Sequence, residues 1–458
     1  MASARLGQEQ RRAALHRMSH EEFDIAVIGG GVTGCGCALD AATRGLSVAL
    51  LEQRDYASGT SSRSSKLIHG GLRYLVQRDF GLVREALRER GLLLRRLCPH
   101  LVRPLPFLFP LTHRVWERAY IGAGMLLYDS LGGAGAVARH GHLTRRQALQ
   151  LARTASLYGA SLASSARVTG FLRQGDRVTG VRARDLESGE EFEVRARAVT
   201  SATGVWTDEL LDLVSAADKL EVRASKGIHL LVPRERIRSS TGFVFRTENS
   251  VLFVIPWRGH WIIGTTDTDW HLDLAHPAAS RADIDYLLGH VNNVLVAPVS
   301  HEDIVGVYAG LRLLLAGESE MTSELSRHHS VVQPLPRLVV VAGGKYTTYR
   351  VMAQDVDMAA AGIDRPVPRS HTEEVPLAGA VGYPARYDAR EQLAAESRLE
   401  VATVERLLGR YGSLLDEVLV RADGGPSCWP RFREAATTWA LKSSMRLRTK
   451  SRSTLMTC

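Results

Sequence analysis

The stretch DIAVIGGGVTGCGCALDAATRGLSVALLE, residues 24–52, decides the fold. A short apolar run suits a buried parallel strand, and glycines follow it directly at positions 29, 31 and 34. Gly29 allows a tight turn, Gly31 lets a pyrophosphate approach the backbone, and Gly34 lets helix and strand pack closely. A helix is predicted over residues 32–44, and its free N–H groups would point at the phosphates. This unit therefore predicts a dinucleotide site.

An acidic residue at the end of the second strand completes the pattern. That strand is predicted over residues 47–51, and the carboxylate of Glu52 can accept hydrogen bonds from a ribose diol. The same carboxylate would repel a 2′-phosphate, which argues against NADP. An ordinary βα turn would explain the glycines alone, but it would not require the acid as well.

Composition and charge narrow the class of protein. The 458-residue chain is long enough for two or three domains, and its 45% hydrophobic and 23% charged residues are typical of a globular protein. Its formal net charge of +9 is dispersed along the chain. Such a charge favours an acidic metabolite or an anionic membrane over nucleic acid, which we do not expect as a partner. The five cysteines lack metal-ligand spacing, so we predict no metal site. Such a sparse set also fits a protein of the reducing cytoplasm.

The sequence shows neither a secretory signal nor a long uncharged apolar segment. Its N-terminus is polar and lacks the apolar run of a signal peptide. Residues 119–138 come closest to a span, but Asp129 interrupts them. A buried cap helix, or a segment on the membrane surface, is therefore the better interpretation of this stretch.

Strand and helix patterns predict three domains. Apolar strands at residues 198–204 and 337–344 suit the parallel sheet of the dinucleotide domain, whereas residues 222–265 alternate like antiparallel strands. The predicted fold is α/β, with a discontinuous Rossmann-like dinucleotide domain (20–85, 150–215 and 335–362), an antiparallel-sheet substrate or cap domain (86–149 and 216–334), and a small helical C-terminal domain (376–458) that is atypical after about residue 422.

Six separated segments carry a resemblance to a known family. They are SGTSSRSSKLIHGGLRYL (58–75), RASKGIHLLV (223–232), IIGTTDTD (262–269), VGVYAGLR (305–312), ELSRHHSV (324–331) and VAGGKYTTYR (341–350). Over residues 20–420 the chain resembles the FAD-dependent glycerol-3-phosphate dehydrogenases of the aerobic, quinone-linked type. The resemblance implies that the dinucleotide is FAD.

The predicted cofactor site combines the glycine turn with two later segments. The hydroxyl and N–H groups of residues 60–66 can bond phosphate and ribityl oxygens, and the helix that opens after Gly344 can face the flavin pyrimidine. Thr347 and Thr348 either cap that helix or contact the ring. The predicted cofactor-binding residues are Gly29, Gly31, Gly34, Glu52, Thr60, Ser61, Ser62, Ser65, Lys66, Leu67, His69, Gly204, Gly344, Lys345, Thr347 and Thr348.

The resemblance also assigns four substrate-binding residues. The positions that match Arg73 and Tyr74 line the substrate pocket in the family, and those that match Arg312 and Arg327 meet the substrate phosphate. The planar fork of arginine suits a phosphate better than lysine does. A lone arginine is more often a surface ion-pair residue, so these roles depend on the matching motifs.

Three residues are the predicted catalytic set. His229 is the candidate base for the C2 hydroxyl proton, because an unperturbed imidazole pKa of about 6.5 suits a base near neutrality. Lys345 adds a cation at the flavin or at the substrate oxygen, and Arg312 holds the phosphate. Asp267 in GTTDTD fits a turn residue as well as a functional one.

The resemblance implies a complete reaction. Glycerol 3-phosphate would be oxidised to dihydroxyacetone phosphate by hydride transfer to flavin N5, and a quinone would take the electrons. The protein would be cytoplasmic, held peripherally at the inner face of the membrane, and the family also allows a homodimer. The alternatives are an oxygen-dependent glycerol-3-phosphate oxidase, an amine or amino-acid oxidase, and a catalytically impaired flavin-binding protein with an interaction or regulatory role.

Three departures from the family pattern stand out. Leu313 takes the place of a common proline after Arg312, and Ser201 takes the place of a common asparagine. Residues 424–458 contain seven Lys or Arg and a single acidic residue, Glu434, and do not resemble the family. We expect disorder at this end of the chain.

Overall fold

The computed structural model describes residues 6–68, 79–110, 140–142, 145–214, 222–247, 251–315, 329–361 and 366–423. Within these ranges the α-helices are α1 (Gln8–His20), α2 (Val32–Thr43), α3 (Phe80–Leu92), α4 (Arg145–Leu157), α5 (Thr207–Asp212), α6 (Arg281–Asn292), α7 (Tyr349–Ala361), α8 (Tyr383–Asp388), α9 (Arg390–Ser397), α10 (Val401–Tyr411) and α11 (Leu415–Asp423). The strands are β1 (Glu22–Ile28), β2 (Val48–Glu52), β3 (Leu67–Ile68), β4 (Pro104–Leu105), β5 (Phe107–Leu108), β6 (His140–His142), β7 (Ser161–Ser164), β8 (Ala166–Gln174), β9 (Arg177–Asp185), β10 (Glu191–Ser201), β11 (Val222–Pro233), β12 (Gly242–Arg246), β13 (Val251–Trp257), β14 (His260–Gly264), β15 (Thr268–Asp269), β16 (Gly306–Leu315), β17 (His329–Leu335) and β18 (Leu338–Gly343).

The first sheet is built around the predicted βαβ unit. Its strand order is β17-β18-β10-β1-β2-β7, and β1 lies between β2 and β10 in parallel register. Helix α2 runs between β1 and β2, and nearly all of its side chains are buried, including Cys35 and Cys37. Burial raises the pKa of both thiols, which fits a packing role for them. Apolar clusters cover both faces of the sheet.

Strand β10 differs from the sequence prediction. The sequence predicts a strand that starts at residue 198, whereas the structure has a single strand from Glu191 to Ser201. Its first half pairs with β9 in an antiparallel ladder, and its second half pairs with β1 and β18 in parallel ladders. No glycine or proline separates the two halves, so the backbone has no reason to break there.

The second sheet is antiparallel along its centre, as the alternating pattern predicts. Its order is β15-β11-β14-β13-β12-β5, and β16 pairs along β11. In that last pair His229 lies opposite Tyr308 and Ser225 lies opposite Arg312. Because side chains alternate between the two faces of a strand, residues four positions apart share one face. The register therefore puts His229 and Arg312 on the same face of the second sheet.

The C-terminal helices have a core of their own. Helices α8 to α11 contribute an apolar cluster that includes Tyr383, Leu393, Val404, Leu408 and Leu415. The atypical residues 424–458 lie outside the described residues. Among the helices that are described, none is both long and apolar enough to cross a bilayer.

Candidate active site

Two of the three glycines of the first turn, Gly29 and Gly34, are required by close contacts, and the third leaves the backbone open. Gly29 has a φ of +104°, and a Cβ atom added there would lie 2.6 Å from the carbonyl oxygen of Ala202. A Cβ on Gly34 would lie 1.9 Å from the carbonyl oxygen of Gly29, so only glycine lets α2 pack on the turn. At Gly31 the nearest atom would be the Ser61 hydroxyl at 3.5 Å, an ordinary contact. The backbone at Gly31 is therefore open, as an approaching phosphate needs.

Gly30 is a third glycine that close contacts require, although the G-x-G-x-x-G spacing does not single it out. A Cβ there would lie 2.9 Å from both Glu52 Cβ and Tyr56 Cδ1. The N–H of Gly30 donates to Glu52 Oε2 at 2.7 Å, and the N–H of Arg54 donates to Oε1 at 2.8 Å. Burial raises the pKa of Glu52, and these two hydrogen bonds oppose that rise. Glu52 thus holds the turn in shape beside the position predicted for the ribose.

The loop of residues 58–68 ties the turn to the second sheet. Ser61 Oγ accepts a hydrogen bond from the N–H of Val32 at 3.0 Å, at the start of α2. Thr60 Oγ1 donates to the carbonyl oxygen of Leu311 at 2.8 Å, one residue before Arg312. Two neighbouring hydroxyls therefore link the dinucleotide turn to β16.

A second glycine turn closes the opposite wall of the site. Gly343 and Gly344 follow β18 with φ angles of +77° and +79°, which favour glycine. A Cβ on Gly344 would lie 2.5 Å from the Met352 sulfur. Lys345 comes next, and a 3-10 turn, Tyr346–Thr348, leads into α7. The turn carries Lys345 to the start of a helix, as the sequence predicts.

His229 is held on two sides. Its Nε2 lies 2.9 Å from Ser65 Oγ, and its ring stacks on Tyr308 with 4.7 Å between centroids and 11° between planes. Burial lowers the pKa of His229 well below its usual value, and the charges of Arg312 and Lys66 lower it further. The imidazole is therefore neutral near pH 7 and can accept a proton.

Arg312 is oriented by a set of polar groups at the end of β14. Its Nη2 donates to Thr265 Oγ1 at 2.8 Å and to the carbonyl oxygen of Thr266 at 3.0 Å. Its Nη1 lies 3.3 Å from Asp267 Oδ1, and Ser225 Oγ donates to the same carboxylate oxygen. Asp267 is therefore an ion-pair partner of Arg312 and not simply a turn residue.

One cavity of about 620 Å³ joins these groups. It extends from the first glycine turn, past the loop of residues 58–68, to the face of the second sheet that carries His229. The second glycine turn lines it as well. The predicted site residues that line it are Gly29, Gly31, Glu52, Thr60, Ser61, Ser65, Leu67, Gly204, His229, Arg312, Gly344, Lys345 and Thr347.

The remaining predicted site residues fall into two groups. His69, Arg73, Tyr74 and Arg327 lie outside the described residues. Gly34, Ser62, Lys66 and Thr348 are described, but none of the four lines the cavity.

These four residues have structural contacts instead. Gly34 packs α2 on the turn, and the hydroxyl of Ser62 donates to the carbonyl oxygens of Ser58 and Gly59. Thr348 Oγ1 donates to the carbonyl oxygen of Lys345 at 3.5 Å, which differs from a helix cap because a capping side chain accepts from a backbone N–H. Lys66 Nζ donates to the carbonyl oxygen of Ser62 and lies 5.4 Å from the centroid of the Tyr308 ring, and burial lowers the Lys66 pKa to about 7.

The structure adds residues that the sequence reasoning missed. Tyr308 stacks on His229, and a Cβ on Gly227 would lie 2.5 Å from both Arg312 Nη2 and Thr265 Oγ1. Trp206 also lines the cavity, and the Arg54 guanidinium lies 5.2 Å from its ring centroid. Tyr308 and Gly227 both belong to motifs quoted above, so the sequence could have singled them out. Their contacts with His229 and Arg312, however, depend on the register between β11 and β16.

The chemistry of the cavity fits FAD. An added Cβ at Gly31 would meet no atom closer than 3.5 Å, so the backbone leaves room for a pyrophosphate at the start of α2, where a helix N-terminus stabilises it. The volume falls in the range of protein sites for cofactors and drug-sized ligands. Glu52 is in place for a ribose, and Lys345 and Thr347 line the wall where the flavin ring is expected. Among the described residues no group of side chains could hold a metal ion.

Comparison with known proteins identifies the family. Residues 24–356 match the family described as FAD-dependent oxidoreductase. Glycerol-3-phosphate dehydrogenase 2 of Mycobacterium tuberculosis is 56% identical over 463 residues, covering 94% of this chain and 79% of that protein. Glycerol-3-phosphate dehydrogenase of Mycobacterium leprae is 55% identical, with the same coverage.

A solved structure agrees with these relatives. The glycerol-3-phosphate dehydrogenase from Bacillus halodurans, in complex with FAD, has a TM-score of 0.75 and 28% identity to this chain. The match covers 94% of this chain and 83% of that one. The predicted α/β fold and the FAD cofactor are thereby confirmed, and the chain belongs to the FAD-dependent glycerol-3-phosphate dehydrogenase family.

Proposed function

We propose that this enzyme oxidises sn-glycerol 3-phosphate to dihydroxyacetone phosphate and passes the electrons to a quinone. The observation that carries the proposal is the shared face of His229 and Arg312 in a cavity that begins at the glycine turn. A base and an anion-binding cation then meet the substrate at the far end of the cofactor cavity. The relatives named glycerol-3-phosphate dehydrogenase support the choice of substrate.

In this proposal Arg312 binds the phosphate. Its guanidinium lines the cavity and is already oriented by Asp267 and Thr265. Charge-assisted hydrogen bonds from a planar fork suit a phosphate dianion. Arg73, Tyr74 and Arg327 complete the proposed substrate site.

His229 takes the proton of the C2 hydroxyl. The imidazole is neutral because burial and the cations Arg312 and Lys66 lower its pKa, so it is ready to accept a proton at neutral pH. The positive charge that appears on the ring is disfavoured by the same cations.

When bound, FAD would supply a two-electron acceptor, at flavin N5, for the hydride of C2. Lys345 stands at the start of α7 on the cavity wall. A cation and a helix N-terminus at this wall stabilise negative charge on the ring or on the substrate oxygen. Thr347, also in the wall, is proposed to contact the ring.

Anaerobic mixing with glycerol 3-phosphate tests the reaction. The purified yellow holoenzyme is expected to lose its visible flavin absorbance and to yield one dihydroxyacetone phosphate per flavin. Glycerol without the phosphate is the control and should bleach the flavin far more slowly. Flavin that stays oxidised in substrate would contradict the proposal and favour a non-catalytic role.

The electron acceptor and the membrane are tested separately. We expect a soluble quinone to reoxidise the bleached enzyme quickly, and air to give little peroxide; stoichiometric peroxide would instead indicate an oxidase. The net charge of +9 supports peripheral binding to an anionic inner leaflet, which cosedimentation with anionic but not neutral vesicles would show. Light scattering of the vesicle-free sample tests the homodimer.

A further inference from the structure

Neither ring nitrogen of His229 is open to a substrate in this structure. Nε2 is engaged by Ser65 Oγ at 2.9 Å. Nδ1 is buried and has no hydrogen-bond partner among the described residues. Cδ2 faces the second sheet at Gly264, where an added Cβ would lie 2.4 Å from it. A base in this position needs an intermediary or must break its contact with Ser65.

Ser65 is suited to be that intermediary. It lines the cavity together with its neighbour Ser64 and with His229. A hydroxyl both donates and accepts, so it can receive one proton while it releases another. Ser65 therefore lines the cavity and also contacts Nε2, the only His229 nitrogen that has a hydrogen-bonded neighbour among the described residues.

Tyr308 fixes both partners at once. Its ring stacks on the imidazole of His229, and its hydroxyl donates to the carbonyl oxygen of Ser64 at 3.1 Å. The strand register sets Tyr308 directly opposite His229, which brings the two rings together. One side chain thus holds the base from the sheet side and the loop that carries Ser65 from the other side.

We propose that Ser65 relays the C2 hydroxyl proton to His229 Nε2, and that Tyr308 is the positioning residue that keeps this relay aligned. The inference deepens the proposed function and rests on it. The substrate O–H bond breaks as its proton moves to Ser65 Oγ, and the Oγ–H proton moves to Nε2. The C2–H bond breaks with its electron pair, which reduces the flavin, and the C2–O bond becomes a carbonyl. After product leaves, the imidazolium returns its proton to water along the same path.

Three variants of the holoenzyme test the relay by the rate of flavin reduction. Ser65→Ala removes the hydroxyl and should slow reduction by about 100-fold or more, with the KM for glycerol 3-phosphate changed less than about threefold. Ser65→Thr keeps a hydroxyl and should recover at least a tenth of the wild-type rate. Tyr308→Phe keeps the ring stack but frees Ser64, so we expect a loss of about tenfold. A Ser65→Ala enzyme that reduces its flavin at the wild-type rate would overturn the relay.

A matched tyrosine controls for the loss of a buried hydroxyl. Tyr286 also contacts a histidine ring, His290, at 4.4 Å between centroids, and its hydroxyl donates to Thr247 at 3.0 Å. It is remote from the cavity lining. Tyr286→Phe should leave the rate of flavin reduction unchanged. A loss equal to that of Tyr308→Phe would show a general effect of lost hydroxyls and would contradict the positioning role.

Nitrogen NMR tests the relay without turnover. The wild-type holoenzyme, with His229→Asn used to assign the signals, should show His229 with its proton on Nδ1 and a hydrogen-bonded, unprotonated Nε2. That Nε2 signal should move in Ser65→Ala. A proton found on Nε2 in the wild type would overturn the relay, because that nitrogen could not accept another. If glycerol 3-phosphate fails to bleach the wild type, the proposed function fails, while the NMR result still decides the proton arrangement.

Discussion

Arg312 and Asp267 form an ion pair at one end of the second sheet, with 3.3 Å between Nη1 and Oδ1. The Asp267 side chain is 6% exposed and that of Arg312 is 22% exposed. Ser225 donates to the same carboxylate oxygen, so the acid is fixed from two sides. The guanidinium is therefore oriented before a phosphate arrives, and binding loses less side-chain entropy than it would with a free arginine.

Replacing this arginine should weaken substrate binding. We expect Arg312→Ala to raise the KM for glycerol 3-phosphate by about 30-fold or more, because a charge-assisted hydrogen bond is worth about 2 kcal/mol. Flavin content should stay at the wild-type level, since Arg312 lies away from the first glycine turn. The measurement is the rate of anaerobic flavin bleaching against substrate concentration.

An arginine on the same sheet provides the control for that variant. Arg223 pairs with Asp269 at 2.6 Å and does not line the cavity. Arg223→Ala removes the same positive charge and should change KM less than twofold. Equal effects of the two variants would mean that Arg312 acts through the overall charge of the protein and does not touch the phosphate.

The glycine turn should tolerate no side chain at Gly34. A Cβ there would lie 1.9 Å from the carbonyl oxygen of Gly29, so Gly34→Ala must push α2 away from the turn. We expect protein purified without flavin, or a lower melting temperature with weak FAD binding. The visible absorbance per chain and the rise in melting temperature on FAD addition measure this.

A helical glycine with open space is the matched control. Gly289 lies in α6, and no atom beyond its chain neighbours and the adjacent helix backbone lies within 4 Å of the position that its Cβ would take. Gly289→Ala should keep full flavin content and stabilise the fold by about 1 kcal/mol, because alanine favours the helix. If Gly34→Ala retained flavin as well as Gly289→Ala does, the close-packing argument would be wrong.

Glu89 and Arg350 join α3 to α7 through a buried bidentate ion pair. Arg350 Nη2 lies 2.6 Å from Glu89 Oε1, and Nε lies 2.9 Å from Oε2. Glu89→Ala leaves a guanidinium buried without its partner, which should lower the free energy of unfolding by about 3–5 kcal/mol. Urea unfolding measures this. Glu191→Ala breaks the exposed ion pair with Arg184 and should lower the free energy of unfolding by less than about 1 kcal/mol. Similar losses in the two variants would mean that burial does not strengthen the Glu89–Arg350 pair.

Asp357 should make stability fall as pH rises. Its carboxyl is fully buried, and burial raises its pKa well above the usual value, with a further rise from Asp40 nearby. The folded state keeps a proton that the unfolded chain releases above about pH 4, so stability declines above that pH by up to about 1.4 kcal/mol per pH unit. Asp357→Asn removes this loss. Urea unfolding at pH 5 and pH 8 gives the free energy of unfolding of the variant and of the wild type. The variant should be more stable than the wild type by a larger margin at pH 8 than at pH 5. An equal margin at both pH values would contradict the raised pKa of Asp357.

The sequence by itself determined the βαβ unit, the antiparallel second sheet and the FAD-binding family. Glycine spacing and the alternation of apolar residues are local patterns, and local sterics and hydrophobic burial act on them directly. The motifs alone also predict His229 as the base and Arg312 as the phosphate-binding residue. Both line the cavity, as Lys345 does.

Tertiary structure alone decided which neighbours each residue meets. The stacking of Tyr308 on His229, the pairing of Asp267 with Arg312 and the need for glycine at Gly30 all come from residues far apart in the chain. A one-residue change of register between β11 and β16 would turn Tyr308 to the opposite face of the sheet. Sequence patterns specify which face of a strand is apolar, but packing of the two sheets sets the register, and the register places the base, its stacking partner and the arginine together.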